Sequence, residues 1–159
     1  MKKIKTSYLL VSCVAVMALL CIMSIGGPIH FDSQRKARET AVKTRLMAIR
    51  SAEERYRARH GVYADNFNSL VKSGYLADSM RYIPYTDKKS FELQATTITG
   101  KGGQDVPLME CRAKYVDFLD GLDRNSVANV IEDANCSGGF PGLKIGDINT
   151  PNNNAGNWE

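Results

Sequence analysis

A long uncharged run opens the chain, between Thr6 and Phe31. It contains no Asp, Glu, Lys or Arg, and three lysines lie within the five residues before it. As a helix, about 22 apolar residues extend about 33 Å, which matches the hydrocarbon thickness of a bilayer. We therefore predict a single-pass N-terminal membrane anchor helix over residues 1–31.

Two other interpretations of this run are open. A secretory signal would be cleaved near Gly27, because the small residues Ser24 and Gly26 precede that position. A lipoprotein signal ending at Cys13 has little apolar sequence before the cysteine and a long apolar run after it, contrary to signal-peptide anatomy. The basic leader favours an N-terminus on the cytoplasmic side, with the rest of the chain outside.

Apolar residues then recur at spacings of three and four, which indicates a helix over residues 33–60. Pro28 is expected to weaken or kink the helix between its two halves, and Gly61 is expected to end it. The recurring residues form one stripe, which we predict to be the buried face of the helix: Val42, Leu46, Ile49, Ala52 and Tyr56.

The rest of the chain changes period. A short helix is predicted over residues 66–73, closed by Gly74. Two β-rich runs follow, Arg81–Tyr85 and Ser90–Thr99, and their spacing predicts a hairpin. Val106–Cys111 is a candidate third strand.

The predicted fold class is therefore α+β. A long N-terminal helix, half membrane anchor and half amphipathic, packs on a small antiparallel sheet at about residues 81–111. The globular domain spans residues 32–159. Its last part, residues 112–159, is expected to be rich in loops, with short helical turns near 115–122 and 126–133.

The amphipathic helix is strongly basic, with nine Lys and Arg against three Glu over residues 33–60. Such a face is commonly solvated, and it also suits acidic partners or lipid headgroups. The net charge of the chain is only +4, and no aromatic platform is interleaved with the cations, so nucleic acid is not an expected partner. The candidate subunit contacts are Arg38, Lys43, Arg45, Arg50 and Arg55.

Cysteine usage leaves one pairing open. Cys13 and Cys21 fall in the apolar run, where small apolar packing explains them. Cys111 and Cys136 are a candidate disulfide, closing a loop of about 25 residues worth about 3 kcal/mol in the chain-entropy model. Two free thiols are the alternative, since sequence does not give their separation.

The sequence offers no recognisable catalytic constellation. His30 and His60 are its two histidines, and neither belongs to a nucleophile or metal motif. The glycine-rich segment at 100–105 lacks the context of a phosphate-binding loop. The chain is therefore not expected to be an enzyme.

Several motifs, in order along nearly the whole chain, carry a family resemblance. They are the basic leader with its apolar helix, KARETAVKTRLMAIRSAEERYRARHGVY, LVKSGYL, and the final AGNWE. In this order the chain resembles type IV pilin-like proteins, especially the major pseudopilin of type II secretion systems. The resemblance implies an anchor in the bacterial inner membrane, an N-terminal helix that packs with its copies, and a sheet domain in the periplasm.

Two features of the family are missing from this sequence. Its processing site is a Gly before an aromatic residue, with a Glu four positions later inside the apolar helix. If Pro28 is aligned with the kink proline of that helix, cleavage would fall after Thr6, and Val11 stands where the Glu is expected.

The resemblance also implies a calcium site in the loop before the terminal Asn-Trp. Calcium binds six to eight oxygen ligands. A run of asparagines is equally typical of plain turn structure, so both interpretations are open. The candidate ligands are Asp147, Asn149, Asn152, Asn153 and Asn154.

Two functions are expected from these observations. The first is a structural pilin-like subunit that associates with itself, with other pilin-like subunits and with exported protein cargo at the inner membrane. The second is a monomeric binding module, membrane-anchored or secreted, that recognises an acidic partner through the basic helix.

Overall fold

The computed structural model describes residues 6–100 and 103–159 of the chain. Residues 1–5, which belong to the predicted anchor, lie outside this part. The side chains of residues 6, 7, 9 and 22–28 lie outside it as well, and they include the ring of Pro28, where a kink is predicted. Within the described residues, the structure contains no helix that is both long and apolar enough to cross a membrane.

The fold is α+β, as the sequence predicts. A long helix comes first, and two short helical segments follow it. The first two strands come next, and two more helices separate them from the third strand. In chain order the elements are α1 (Thr6–His60), α2 (Phe67–Lys72), a 3₁₀ turn (Asp78–Arg81), β1 (Glu92–Thr99), β2 (Asp105–Lys114), α3 (Tyr115–Phe118), α4 (Arg124–Cys136) and β3 (Gly142–Gly146).

Helix α1 continues through positions 26–28 and ends where the sequence predicts. Gly61 follows it with a φ of +80°, and its N–H donates to the carbonyl oxygen of Arg57 at 2.8 Å. This left-handed stop is easy for glycine because it has no Cβ. The predicted short helix is also confirmed, since the side chain of Asn66 accepts a hydrogen bond from the N–H of Ser69 and caps α2.

The sheet is antiparallel, with strand order β1-β2-β3 among the described residues. Strands β1 and β2 form a hairpin in which Glu92 pairs with Arg112 and Thr99 pairs with Asp105. Strand β3 pairs with the other edge of β2.

The predicted hairpin of 81–85 with 90–99 is wrong in its pairing. Residues 81–90 form turns, joined by a single bridge between Tyr82 and Ser90. The actual partner of β1 is β2, and the third strand comes from residues that the sequence pattern assigns to loop. The helical segments near 115 and 126 are confirmed as α3 and α4.

The core lies between α1 and the sheet. Four residues of the predicted stripe are fully buried, and Tyr56 packs against them while partly exposed. Phe118 and Leu119, at the end of α3, complete the core together with Met109 of β2 and Ile145 of β3. The predicted buried face of the helix is therefore confirmed.

Candidate functional site

The basic face of α1 is the most distinctive surface of the described chain. Arg38 donates from Nη1 to the carbonyl oxygens of Phe118 and Asp120, at 2.9 and 2.7 Å. Its guanidinium also lies 5.0 Å from the ring centroid of Tyr85. One arginine therefore fixes the end of α3 and the turn after it, because a guanidinium presents several donors in a fixed plane.

Two further arginines hold the segment that joins α2 to the sheet. Arg45 donates to the carbonyl oxygen of Tyr82. Arg55 donates to the carbonyl oxygen of Tyr75 at 3.2 Å and to that of Ser51 in its own helix at 3.1 Å. The bonds to Tyr75 and Tyr82 satisfy backbone carbonyl groups that lie outside the three strands.

Lys43 and Arg50 face the C-terminal tail. The Nζ atom of Lys43 is 4.0 Å from Oε2 of Glu39 and 5.5 Å from the ring centroid of Trp158. Arg50 contacts the last residue, with 3.2 Å between its Nη1 and Oε1 of Glu159. All five cations that the sequence suggests as subunit contacts thus contact parts of the same chain, and their role in contacts between subunits stays a prediction.

Asp147 begins the loop that contains the candidate calcium ligands. Its Oδ1 accepts hydrogen bonds from the N–H groups of Asn149 and Thr150, at 2.8 and 3.2 Å. Its Oδ2 is 3.2 Å from Nζ of Lys144. The N–H of Asn149 contributes most to holding the pKa of Asp147 below its usual value, and Lys144 lowers that pKa further.

The asparagines of the loop have separate positions. Asn152 donates weakly to the carbonyl oxygen of Ala155. Asn153 and Asn154 both have left-handed backbones, with φ of 55° and 56°. The buried side chain of Asn154 donates to the hydroxyl oxygen of Tyr63 at 2.8 Å.

These donors do not fit a calcium ion. The loop offers a single carboxylate, and both of its oxygens already have partners, one of them a lysine. No group of three or more Asp, Glu, His or Cys side chains is placed to hold a metal ion in residues 6–100 and 103–159. A calcium ion needs six to eight oxygens and favours several carboxylates.

The end of the chain adds to the sheet beyond β3. Gly156 bridges to Ile145. The side chain of Asn157 accepts from the N–H of Lys144 at 3.1 Å and donates to the carbonyl oxygen of Gly142 at 3.0 Å. Trp158 packs against the core cluster. The terminal Asn-Trp pair therefore fastens the tail to both the sheet and α1.

Glu53 is a functional candidate that the sequence interpretation missed. It is fully buried on α1, and its Oε2 accepts a hydrogen bond from the N–H of Ala64 at 2.9 Å. Its Oε1 is buried without a hydrogen-bond partner in the described part of the chain. Burial raises the pKa of Glu53 to about 7. Glu53 follows Ile49 by four residues, so the sequence alone already places it on the apolar stripe of the helix.

The candidate disulfide between Cys111 and Cys136 is not present in the structure, where the two cysteines lie in different environments. Cys111 is completely buried in β2, where burial raises the pKa of its thiol well above the usual value. Cys136 ends α4 and is exposed. Both are free thiols in the structure.

An open groove of about 530 Å³ lies between α3 and α4. Aliphatic side chains such as Leu119, Leu122 and Ile131 line it, with Asp120 and Arg124 as its charged members. This pair forms no recognisable acid–base or nucleophilic arrangement.

Comparisons with protein-family models, with curated proteins and with solved structures found no match to this chain.

Proposed function

We propose that the chain is a structural, pilin-like subunit of a bacterial envelope assembly related to type II secretion or type IV pili. It acts in protein export by oligomerising through its N-terminal helix. The observation that carries this proposal is the contrast between the two halves of α1. The second half supplies the buried stripe of the core, while the first half exposes its large apolar side chains, among them Tyr8, Leu10, Val14 and Leu20.

The exposed apolar side chains on the first half of α1 need an apolar environment to shield them from water. The large apolar side chains described between Tyr8 and Leu20 are each 58 to 69% exposed. Burying one such side chain is worth about 1.5 to 3 kcal/mol, so a contiguous group of them is costly in water. Lipid and copies of the same helix both offer an apolar cover. We propose a single-pass anchor in the inner membrane, with the C-terminal domain in the periplasm.

Association within the membrane would rest on side-chain packing. Val11 stands where the resemblance implies a glutamate, so the usual charge pair between neighbouring subunits has no acceptor here. In lipid, helices associate through close packing and small residues. The partners of this assembly are further copies, other pilin-like subunits and exported protein cargo.

Association through α1 can be tested by disulfide crosslinking of cysteines that the chain already contains. Cys13 and Cys21 are exposed on the first half of α1. A variant with Cys136→Ser leaves these two as the exposed thiols among the described residues. Mild oxidation of native membranes should then yield disulfide-linked dimers, and higher multimers because each helix carries two thiols.

Matched variants identify the contact. Cys13→Ser and Cys21→Ser, each made in the Cys136→Ser background, should limit the products to dimers, and the triple variant should give monomers. Persistence of monomers alone at every expression level, with both helix thiols present, would contradict oligomerisation through α1.

The second expected function, recognition of an acidic partner by the basic helix, has less support. Arg38, Arg45 and Arg50 bind acceptors of the same chain. A cation that fixes a loop is not free to meet a partner without losing that bond. Contacts with an acidic partner would therefore depend on exposed cations such as Lys36 and Arg59.

A further inference from the structure

We infer that Arg50 and Lys144 fix the C-terminal loop of this chain. In the pseudopilins that the chain resembles, a calcium ion is expected to do so. The two cations come from different elements, one from α1 and one from β3. Each binds an oxygen of a type that calcium prefers, a backbone carbonyl or a carboxylate. The inference concerns the isolated subunit and goes beyond the proposed assembly.

Lys144 neutralises the single carboxylate of the loop. Its Nζ lies 3.2 Å from Oδ2 of Asp147 and 3.0 Å from Oε2 of the buried Glu110. The other oxygen of Glu110 is 3.2 Å from Nη1 of Arg112. A metal ion at Asp147 would have to displace Lys144, and the buried Glu110 would lose one of its two cations.

Arg50 fixes the other end of the loop. Its Nη2 donates to the carbonyl oxygen of Asn153 at 3.0 Å, and its Nη1 lies 3.2 Å from Oε1 of Glu159. Its Nε forms a 3.2 Å ion pair with Glu54 of the same helix. The fork of one guanidinium therefore joins the loop, the chain terminus and α1 at one point.

The loop is shaped without a metal ion. Asn153 and Asn154 are the residues in the left-handed conformation, which asparagine adopts more easily than other residues with a side chain. Asn154 then points inward and donates to Tyr63. The turn is thus provided by residue type and by one buried hydrogen bond.

Trp158 reports on whether the tail is docked. It is the single tryptophan of the chain, and it packs against the core next to the residues that Arg50 holds. Release of the tail would expose the indole ring to water, which shifts its fluorescence emission to longer wavelength and makes it more accessible to acrylamide.

The test uses the full-length chain purified in a mild detergent. Emission and acrylamide quenching of Trp158 are recorded with a chelator, and then with calcium chloride up to about 10 mM, well above the range for extracellular calcium modules. Magnesium chloride and sodium chloride of equal ionic strength serve as salt controls. We expect no saturable response that is specific to calcium.

The variants test the cations directly. Arg50→Gln and Lys144→Gln are each expected to shift Trp158 emission to longer wavelength and to increase its quenching, and added calcium should not restore either property. Arg59→Gln, at an exposed position of the same helix, removes the same charge and should leave Trp158 unchanged. If Arg50→Gln fails to fold, Glu159→Gln removes one partner of Arg50 and should shift emission in the same direction.

Two results would overturn the inference. One is a saturable, calcium-specific change in Trp158 of the wild-type chain, which would show a working metal site. The other is an Arg50→Gln variant that folds with unchanged emission and quenching. Because the readout is a property of the purified subunit, failure of the proposed assembly would leave this result intact.

Discussion

The side chain of Glu53 accepts a hydrogen bond from the backbone N–H of Ala64, with 2.9 Å between Oε2 and the nitrogen. This bond ties the loop after α1 to a fully buried position of the helix. The second oxygen of the carboxyl group has no partner among the described residues. Ionisation of Glu53 is therefore unfavourable in the folded chain, since no cation of the described residues forms an ion pair with it.

The stability of the fold should fall as pH rises from about 4.5 to about 7. Burial raises the pKa of Glu53 from 4.5 to about 7, so the folded state binds more protons than the unfolded state between these values. The free energy of unfolding then decreases with pH in this window and levels off above it. Asp65 acts in the same direction by raising the pKa of Glu53, and the buried Cys111 thiol lies within electrostatic reach.

Replacement Glu53→Gln should remove most of this pH dependence. The amide oxygen keeps the bond from Ala64, and no charge is buried. The amide NH2 takes the place of Oε1, which has no partner in the described part of the chain, so its desolvation reduces the gain. We expect up to about 3 kcal/mol of added stability above pH 7, at about 1.4 kcal/mol per unit of pKa shift. Urea unfolding at pH 5 and pH 8 measures it. Glu54→Gln, next in sequence but exposed, is the matched control, and an unchanged pH profile in Glu53→Gln would contradict the prediction.

Arg38 should contribute to stability through its two bonds to loop carbonyl oxygens. Arg38→Met keeps the aliphatic stem but removes the donors to Phe118 and Asp120. Bonds from charged donors are worth about 1.5 to 3 kcal/mol each when buried, so we expect a total loss of about 1 to 3 kcal/mol at this partly exposed position.

Amide hydrogen exchange would locate the effect of Arg38→Met. Protection should fall at the end of α3 and in the turn before α4, while the hairpin of β1 and β2 keeps its protection. Lys36→Met, at an exposed position of the same helix, is the control. Equal loss in both variants would show that charge alone, not the bonds of Arg38, is responsible.

Tyr63 should stabilise the C-terminal loop through its hydroxyl group. This oxygen accepts from Nδ2 of Asn154 at 2.8 Å and from Nη1 of Arg57 at 3.1 Å. Tyr63→Phe leaves the buried amide of Asn154 without that acceptor, which costs about 1 to 3 kcal/mol. Thermal unfolding measures the loss. Tyr75→Phe is the control, and similar stability of Tyr63→Phe and the wild-type chain would refute the role of the hydroxyl group.

Much of the helical part of the fold follows from the sequence. The stripe of Val42, Leu46, Ile49 and Ala52 has the period of one helix face, and Gly61 and Asn66 are local signals for a helix end and start. These features depend on neighbouring residues only. The basic character of α1 was also evident, but the acceptors of its arginines lie as many as 109 positions away in the chain, and periodicity carries no information about them.

The third strand was harder to predict because its pairing with β2 is nonlocal, with α3 and α4 between the two strands in the chain. Strand β3 reads GLKIG, a pattern with two glycines that is typical of a loop. In the structure the glycines allow close approach to β2. A Cβ atom at Gly142 would clash with the backbone of Ala113 and Lys114, and one at Gly146 would clash with that of Met109. The residues that make the pairing sterically possible are thus those that hide the strand from sequence patterns.

Gly146→Ala should therefore be among the most damaging single changes in the sheet. Gly146 has a φ of +71°, and an added Cβ would meet the carbonyl group of Met109. The strained backbone alone costs about 1 to 3 kcal/mol, and the clash adds to it. Gly139→Ala is the control, since its φ is not positive and an added Cβ would make ordinary contacts of 3.4 Å. Chemical unfolding should show a much larger loss for Gly146→Ala, with Trp158 more exposed because β3 carries the tail; equal losses in the two variants would mean that β3 does not pair with β2 as described.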